Sequence, residues 1–244
     1  MPISKTDFIR GLQCEKMLWL DAHAPHLRII PPEIQARLDA GNEFGDKAMS
    51  IFGEFVETTT LKADGRLDFA AMIAKTQALL AAGKRVICEG SFSWYGNFCA
   101  ADILKKDGNG YALYEVKNTA AVRKEFLLDL GFQRLILRKC GVKITSSFLV
   151  LNGGIFDDEK SAQTTKEDGQ VCVECIEKGG EVFKIIDVTS QARAFERVAE
   201  EKIFPLGKIK KKDAEIPKIG TGEHCLFPYP CWYLEHCRQK EGKL

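Results

Sequence analysis

The chain has 244 residues, of which 45% are hydrophobic and 28% are charged, as expected for a globular protein with one sizeable core. No apolar stretch approaches the ~18 residues that a membrane span requires. Residues 1–20 carry several charges and no apolar signal segment, so we expect a cytoplasmic protein with no membrane partner. The net charge of +1 does not by itself indicate a nucleic-acid partner.

The first third of the chain predicts helices. Ser4 followed by Asp7 is typical of a helix N-cap, and that helix would end near Cys14. A Pro-Pro-Glu sequence at 31–33 opens a second helix, which runs to about residue 52. An alanine- and leucine-rich third helix spans 69–82.

The remainder alternates between strand and helix patterns. Glycine- and asparagine-containing turns separate short strand-like segments, and the chain beyond Pro205 is predicted to be a loop. This order describes one mixed α/β domain covering 1–244. The predicted elements are strands 85–93, 98–105 and 111–117, helix 123–139, strand 146–151, hairpin strands 171–177 and 182–188, and helix 191–202.

Two carboxylates and a lysine are predicted to share one face of the sheet. The segment 107–110 reads Asp-Gly-Asn-Gly, which favours a tight hairpin. Depending on which two residues form its loop, Asp102 stands opposite Glu115 or Lys117, and in both registers all three side chains share a face. Such a group suits Mg²⁺ or Mn²⁺ and a phosphate oxygen. A surface salt bridge is the alternative interpretation.

Two further residues belong to this constellation. Glu89 lies on the preceding predicted strand and adds a carboxylate as a further candidate metal ligand. Gln133 interrupts the apolar stripe of helix 123–139, so its amide is predicted to point at the sheet. A buried glutamine without a chemical role is the alternative.

The Asp102 strand, the Glu115-Val-Lys117 strand and the helix with Gln133 resemble the PD-(D/E)xK nuclease superfamily, and most closely its RecB-like branch. The resemblance implies a restriction-endonuclease-like core, at about 83–152, inside the α/β fold. It implies that these four residues are catalytic, and that Asp102 and Glu115 bind Mg²⁺ or Mn²⁺.

This chain departs from the family pattern in two places. The Q-x-x-x-Y-like motif of the helix has Leu137 where tyrosine is expected. The upstream G-x-x-x-H motif falls at 41–46 but contains no histidine. Glu43 or Asp46 is the candidate replacement ligand.

Four of the nine cysteines form a second pattern. Cys225, Cys231 and Cys237 follow one another at C-x5-C-x5-C spacing, and Cys14 is the candidate fourth thiolate of a [4Fe–4S] cluster. Clustered cysteines in a reducing compartment more often bind metal than form disulfides. A zinc site that includes His224 or His236 is the rival.

One N-terminal and three C-terminal cysteines are similar to the iron–sulfur exonucleases of CRISPR adaptation and to the nuclease domain of the AddB helicase subunit. The resemblance implies a cluster that clasps 1–20 to 220–244. It also implies an exonuclease for single-stranded or partly duplex DNA, with a CRISPR integrase complex or a helicase as partner. The alternatives are a catalytically weak or inactive DNA-binding iron–sulfur scaffold and a redox-sensing cluster protein.

Other motifs carry weaker predictions. Trp94 and Tyr95, at a hairpin turn near the expected site, are candidates for stacking on DNA bases, although core packing explains them equally well. Lys210 and Lys211 are candidates for phosphate contacts or for a solvated loop. Cys172-x-x-Cys175 lies in a predicted strand, where alternation places its two sulfurs on opposite faces, so we expect core or surface cysteines there.

Overall fold

The computed structural model describes residues 1–154 and 171–242. In these residues a seven-stranded sheet has the order β1-β2-β3-β4-β5-β7-β6, with parallel pairing at β1–β2 and β4–β5 and antiparallel pairing elsewhere. The predicted mixed α/β class is therefore confirmed. The strands are β1 (Val56–Glu57), β2 (Val86–Trp94), β3 (Asn97–Asp107), β4 (Gly110–Lys117), β5 (Ile144–Asn152), β6 (Val171–Lys178) and β7 (Glu181–Asp187).

Helices cover both faces of the sheet, because residues alternate along each strand and both faces are apolar. In β4, Leu113 packs into the core beneath the helices at 124–139 and 189–209, whereas Tyr114 packs into a second core on the opposite face. Among the described residues, no helix is long and apolar enough to cross a bilayer. The helices are α1 (Lys5–Gln13), α2 (Glu15–His23), α3 (Pro32–Ala48), α4 (Phe69–Ala81), α5 (Lys124–Lys139), α6 (Thr189–Ile209) and α7 (Leu234–Lys240).

The β3–β4 hairpin adopts the first of the two predicted registers. Asp107 pairs with Gly110 and Ile103 pairs with Tyr114, so the loop is Gly108-Asn109 and Asp102 lies next to Glu115. Gly108 has a φ of 54°, a left-handed conformation that glycine adopts without strain. The turn sequence thus fixes which side chains meet five residues further along the strands.

Helix α1 begins where its sequence predicts. The Ser4 side chain accepts a hydrogen bond from the Asp7 backbone, and the Asp7 carboxylate accepts one in return from Ser4 N at 2.8 Å. One turn later, Phe8 stacks on Phe132 of α5 with ring centroids 5.0 Å apart. This contact seats the N-terminal helix against α5, with Lys5 above the sheet.

The predicted loop after Pro205 is confirmed only in part: residues 211–222 are turns and irregular backbone, but helices form on either side of them. Helix α6 continues through Pro205 to Ile209, and the C-terminal tail forms a further helix, α7. Proline removes one backbone hydrogen bond and disfavours the interior of a helix. Burial of Ile203 and Leu206 in the main core outweighs that cost.

The prediction that Cys172 and Cys175 point to opposite faces is wrong, although both are surface cysteines, as expected. The β6–β7 register shifts between Cys172 and Glu174, which is the signature of a β-bulge. One extra residue restores a common face for the two cysteines, and their sulfurs lie 3.7 Å apart.

Candidate active site

A cavity of about 340 Å³ opens where α1, α3 and the strands β2 to β4 meet. Strand alternation places Glu115 and Lys117 of β4 on one face, and the hairpin register adds Asp102 of β3. The predicted constellation therefore does converge on one site. The cavity lining includes Lys5, Glu89, Asp102, Glu115 and Lys117, and Gly41, Asn42, Gly45 and Asp46 from α3.

Asp102 is fixed by the backbone of the neighbouring strand. Its Oδ2 accepts a hydrogen bond from Val116 N at 2.8 Å, and its Oδ1 lies 3.7 Å from the Lys5 ammonium. The side chain retains 23% of its exposure. One oxygen is thus anchored while the carboxylate still faces the cavity.

Glu115 is the most connected side chain of the site and is fully buried. One of its oxygens accepts from Lys117 Nζ at 2.5 Å and from Lys5 Nζ at 3.0 Å. The other accepts from Gln133 Nε2 at 2.6 Å. Charge-assisted hydrogen bonds of this kind are about twice as strong as neutral ones, so Glu115 has a single well-defined orientation.

Gln133 points at the sheet, as predicted from the helix periodicity. Because a carboxylate only accepts hydrogen bonds, the amide nitrogen faces Glu115 and also contacts Asp129 Oδ1, at 3.2 Å. The amide oxygen is buried and has no donor among the described residues. An orphaned acceptor of this kind is costly in a protein interior and requires an explanation, of which a bound ion or a catalytic role is one.

Two residues of the cluster escaped the sequence analysis. Asp129 lies one helical turn before Gln133 and accepts from Lys117 at 3.0 Å, so the four-residue spacing on α5 was an available signal. Lys5 reaches Glu115 from 110 residues away. It lies 3.7 Å from both Asp102 and Asp129, and no local pattern indicates this contact.

Burial and mutual repulsion raise the pKa values of three carboxyl groups of the site, those of Asp102, Glu89 and Asp129. Burial, and then the charge of Glu115, raises the pKa of Asp102 to about 6. Burial, and then Asp102, raises the pKa of Glu89 to about 8. The pKa of Asp129 is also raised, by burial and by Glu115. The cluster therefore holds more carboxylates than its two ammonium groups neutralise.

Neighbouring opposite charges favour the charged forms of Glu115 and of both lysines, so the pKa of Glu115 is lowered and the pKa values of Lys5 and Lys117 are raised. Burial raises the pKa of Glu115, but the charges of Lys117 and Lys5 outweigh this and lower it overall. Burial lowers the pKa of Lys117, but Glu115 and Asp129 outweigh this and raise it well above its ordinary value. Lys117 is consequently an ammonium at neutral pH.

Glu89 occupies a strained position in β2. Its φ is 54°, whereas its neighbours Cys88 and Gly90 pair regularly with β3. A non-glycine residue in the left-handed region costs about 1–3 kcal/mol and is concentrated at functional sites. The unbroken β2–β3 register places Glu89 opposite Asp102, and its half-buried carboxylate lines the cavity.

The two replacement ligands predicted on α3 fall in different places. Asp46 lines the cavity, next to Gly45. The Glu43 carboxylate is 71% exposed and pairs with Lys47 at 3.0 Å, and it is not part of the described cavity lining. The geometry therefore favours Asp46 over Glu43.

The predicted DNA contacts lie away from the cavity. Trp94 and Tyr95 do form the β2–β3 turn, and Tyr95 is 79% exposed, but Asn97 opposite Trp94 is five residues from Asp102, or about 17 Å along the strand. Their predicted proximity to the site is therefore wrong. Trp94 instead packs against Phe204, with ring centroids 5.5 Å apart.

The two candidate lysines of the basic run have different surroundings. Lys210 donates to Asp7 at 2.7 Å and so secures the start of α1. Lys211 is exposed, and its backbone carbonyl lies 2.9 Å from the His23 ring. A phosphate contact at Lys210 would therefore compete with an existing ion pair.

The four predicted cluster cysteines come together at the opposite end of α1. Cys14 lies between α1 and α2, and with Cys231 and Cys237 it packs around Met17 and Tyr233. Burial, and then the charges of the other three thiols, raises the pKa of Cys231 to about 11. His224 Nε2 lies 3.6 Å from Cys225 Sγ.

Backbone and side-chain contacts join the two ends of the chain around these thiols. The Gln13 amide donates to the carbonyls of His224 and Tyr229, at 2.7 and 2.6 Å. The Trp19 indole donates to the carbonyl of Ala214 at 2.8 Å. The docking of the N-terminal helices on the C-terminal tail is thus built into the fold.

Neither group is preassembled as a coordination shell: in residues 1–154 and 171–242, no three His, Cys, Asp or Glu side chains are arranged to hold a metal ion. Comparison with known proteins adds no relative, since no family model, no curated protein and no solved structure matches this chain.

Proposed function

We propose that the chain is a divalent-metal-dependent nuclease that hydrolyses phosphodiester bonds in DNA. The observation that carries the proposal is the buried Glu115 carboxylate, held by Lys117 and Gln133 beside Asp102. Two carboxylates, a lysine and a glutamine converge on one cavity from two strands and a helix. This is the arrangement expected of a PD-(D/E)xK nuclease.

The donor chemistry of the cavity fits Mg²⁺ or Mn²⁺. Hard carboxylate oxygens are their preferred ligands, and burial raises the pKa values of Asp102 and Glu89, so a bound cation would stabilise their ionised forms. Asp102 and Glu115 would hold the ion, with Glu89 or Asp46 as additional ligands. A bound ion would stabilise the negative charge that develops on the phosphate.

Lys117 has an electrostatic role in this proposal. Its raised pKa keeps it protonated, so it holds a phosphate oxygen or orients the attacking water and does not remove a proton. Glu115 and Asp129 hold the ammonium in place, and Gln133 bridges the two carboxylates. The arrangement is rigid before substrate arrives, which favours catalysis.

The thiols of Cys14, Cys225, Cys231 and Cys237 would hold a [4Fe–4S] cluster. Their number, their burial and their position between the two chain ends support this assignment, and a Cys/His zinc site is the alternative near His224. When bound, the cluster supplies structural cross-linking to the docked ends. Brown protein with stoichiometric iron would support the assignment, and colourless protein with stoichiometric zinc would refute it.

A single-stranded DNA end is the proposed substrate, with cleavage as an exonuclease. A partly duplex DNA with such an end fits the same proposal. The proposed biological partners are a CRISPR integrase complex or a helicase. These details rest on the family resemblance and on the open cavity.

Cleavage of a labelled single-stranded oligonucleotide in Mn²⁺ tests the proposal. Asp102→Asn and Lys117→Met should each reduce cleavage by at least about 100-fold, the scale of a lost transition-state contact. Asp107→Asn is the matched control, because Asp107 lies on the same strand but is exposed. Full activity in both site variants would refute the site. Salt-sensitive DNA binding without turnover in any metal would favour the scaffold alternative.

A further inference from the structure

Cys172 and Cys175 form an exposed pair of thiols outside both sites described above. They lie on β6, at the edge of the sheet, and their sulfurs are 3.7 Å apart. Nothing in the proposed nuclease chemistry uses them. Their arrangement requires an explanation, because a regular strand points residues three apart to opposite faces.

The β-bulge in β6 creates the pair. Cys172 pairs with Ile186 and Cys175 pairs with Lys184, so the two cysteines face residues only two positions apart on β7. Residues two apart share a face and are about 6.8 Å apart, whereas three regular strand positions span about 10 Å. Val173, as the additional residue, shortens the separation of the cysteines and aligns their side chains.

We propose that Cys172 and Cys175 are a reversible redox site, which closes to a disulfide by exchange with a low-molecular-weight disulfide. One thiolate attacks the disulfide RS–SR, forms a mixed disulfide and releases RS⁻. The second thiolate then attacks the protein-bound sulfur of the mixed disulfide and displaces the second RS⁻. In total, two protein thiols and RS–SR give one protein disulfide and two RSH.

The geometry suits this closure. The sulfurs of a disulfide are about 2.05 Å apart, so these two sulfurs, 3.7 Å apart as free thiols, must approach by less than about 2 Å. An exposed disulfide is more readily reduced than a buried structural one, which favours reversibility. Burial and Cys172 raise the pKa of the Cys175 thiol, and the positive charge of Lys184, across the ladder, partly offsets this.

The surroundings of Cys172 and Cys175 suit thiol–disulfide exchange better than metal binding. Among the described residues, no third His, Cys, Asp or Glu side chain joins the pair in a potential metal site. Zinc in proteins almost always takes three or four protein ligands, whereas exchange needs only two accessible sulfurs. Both cysteines are exposed residues.

Peptide mapping of the full-length protein, as isolated, tests this proposal. The protein is titrated with oxidised glutathione, blocked with N-ethylmaleimide and digested with trypsin. Tryptic peptide 167–178 contains Cys172 and Cys175 and no other cysteine. We expect this peptide to lose two hydrogens, to carry neither glutathione nor maleimide, and to regain both thiols with dithiothreitol.

Two controls isolate the effect of proximity. Cys140 is an exposed thiol in its own peptide, 140–143, and should accept one glutathione. The Cys175→Ser variant should trap Cys172 as a glutathione mixed disulfide. Because the second step is intramolecular, the pair should be half oxidised at an oxidised-glutathione concentration at least about tenfold below that required by Cys140.

Three results would overturn the proposal. The first is a wild-type peptide that stays fully maleimide-labelled when Cys140 is glutathionylated. The second is a peptide that carries two glutathiones. The third is stoichiometric zinc in the isolated protein that disappears in the Cys172→Ser/Cys175→Ser variant. The proposal does not depend on nuclease activity.

Discussion

The acidic cavity and the cysteine cluster both join distant parts of the chain, but they are held in different ways. In the cavity, the functional side chains bond directly to one another, with Glu115 accepting from Lys5, Lys117 and Gln133. Around the cysteines, neighbouring groups such as Gln13 make the contacts and the thiols only lie close together. We therefore expect the fold alone to order the cavity, whereas the cysteines depend on their ligand.

The largest expected effect is that of Glu115→Gln. The substitution removes the negative charge shared by Lys5 and Lys117, and loss of one partner of a buried ion pair costs about 3–5 kcal/mol. The free energy of unfolding in urea should fall by this amount, and Mn²⁺-dependent cleavage should be lost. Glu43→Gln, in an exposed ion pair on α3, should match the wild type in both measurements. A stable and active Glu115→Gln variant would contradict the account of the cavity.

Removal of one cluster thiol should affect stability more than chemistry. Cys231→Ser should lose iron and lower the Tm by about 5–10 °C, the scale of two to three kcal/mol in a protein of this size. Cleavage per folded molecule should be unchanged, because the thiols lie at the opposite end of α1 from Lys5. Cys140→Ser, at an exposed cysteine outside the cluster, is the control. Unchanged iron content and Tm in Cys231→Ser would rule out a cluster at these residues.

Lys5→Met should strengthen the binding of Mn²⁺. The Lys5 ammonium lies within 3.7 Å of Asp102, Glu115 and Asp129, so its charge opposes that of an incoming cation. We expect the Kd for Mn²⁺, measured by calorimetry, to fall by about tenfold, well within the Coulomb energy of such contacts. Lys47→Met, on α3, should leave the Kd unchanged. Weaker binding in Lys5→Met would show that Lys5 supports the metal site.

The smallest expected effect is a dependence of stability on pH in the presence of EDTA. The carboxyl pKa values of Asp102, about 6, and Glu89, about 8, lie above their ordinary values, so the folded protein binds these protons more tightly than the unfolded chain. The resulting stability is present at low pH and is lost as pH rises through about 6 for Asp102 and about 8 for Glu89.

Glu89→Gln tests the Glu89 part of this dependence. It should be more stable than the wild type at pH 8 by about 1 kcal/mol, a value reduced for the partial exposure of Glu89. Near pH 4 the two proteins should unfold alike, because Glu89 is then protonated. Glu54→Gln, at an exposed position, should show no such difference between the two pH values. Equal wild-type and Glu89→Gln stabilities at pH 8 would show that Glu89 is not desolvated.

How well each residue was predicted depends on how local its signal is. The register of Asp102 and Glu115 follows from a tight turn a few residues away, and the direction of Gln133 follows from helix periodicity. Asp129 lies four residues before Gln133 on α5, so helix periodicity also predicts that it faces the sheet. Lys5 had none, because helix packing alone brings it to the sheet.

For the cysteines as well, local patterns are predicted from the sequence and long-range pairing is not. The spacing of the three C-terminal cysteines is visible in the sequence, and the structure does bring them to Cys14. The pairing of Cys172 with Cys175 depends on a bulge, which is decided by how β6 matches β7 along its whole length. A single inserted residue reverses the face of every side chain beyond it.

The most direct test of the central claim is anomalous diffraction from crystals grown with Mn²⁺. With data collected on either side of the manganese absorption edge, which separates manganese from the iron of the proposed cluster, we predict a manganese peak in contact with the carboxylates of Asp102 and Glu115. This peak should be lost in crystals of Asp102→Asn. A manganese peak only elsewhere, or none at saturating Mn²⁺, would contradict the assignment of this cavity as the metal site of a nuclease.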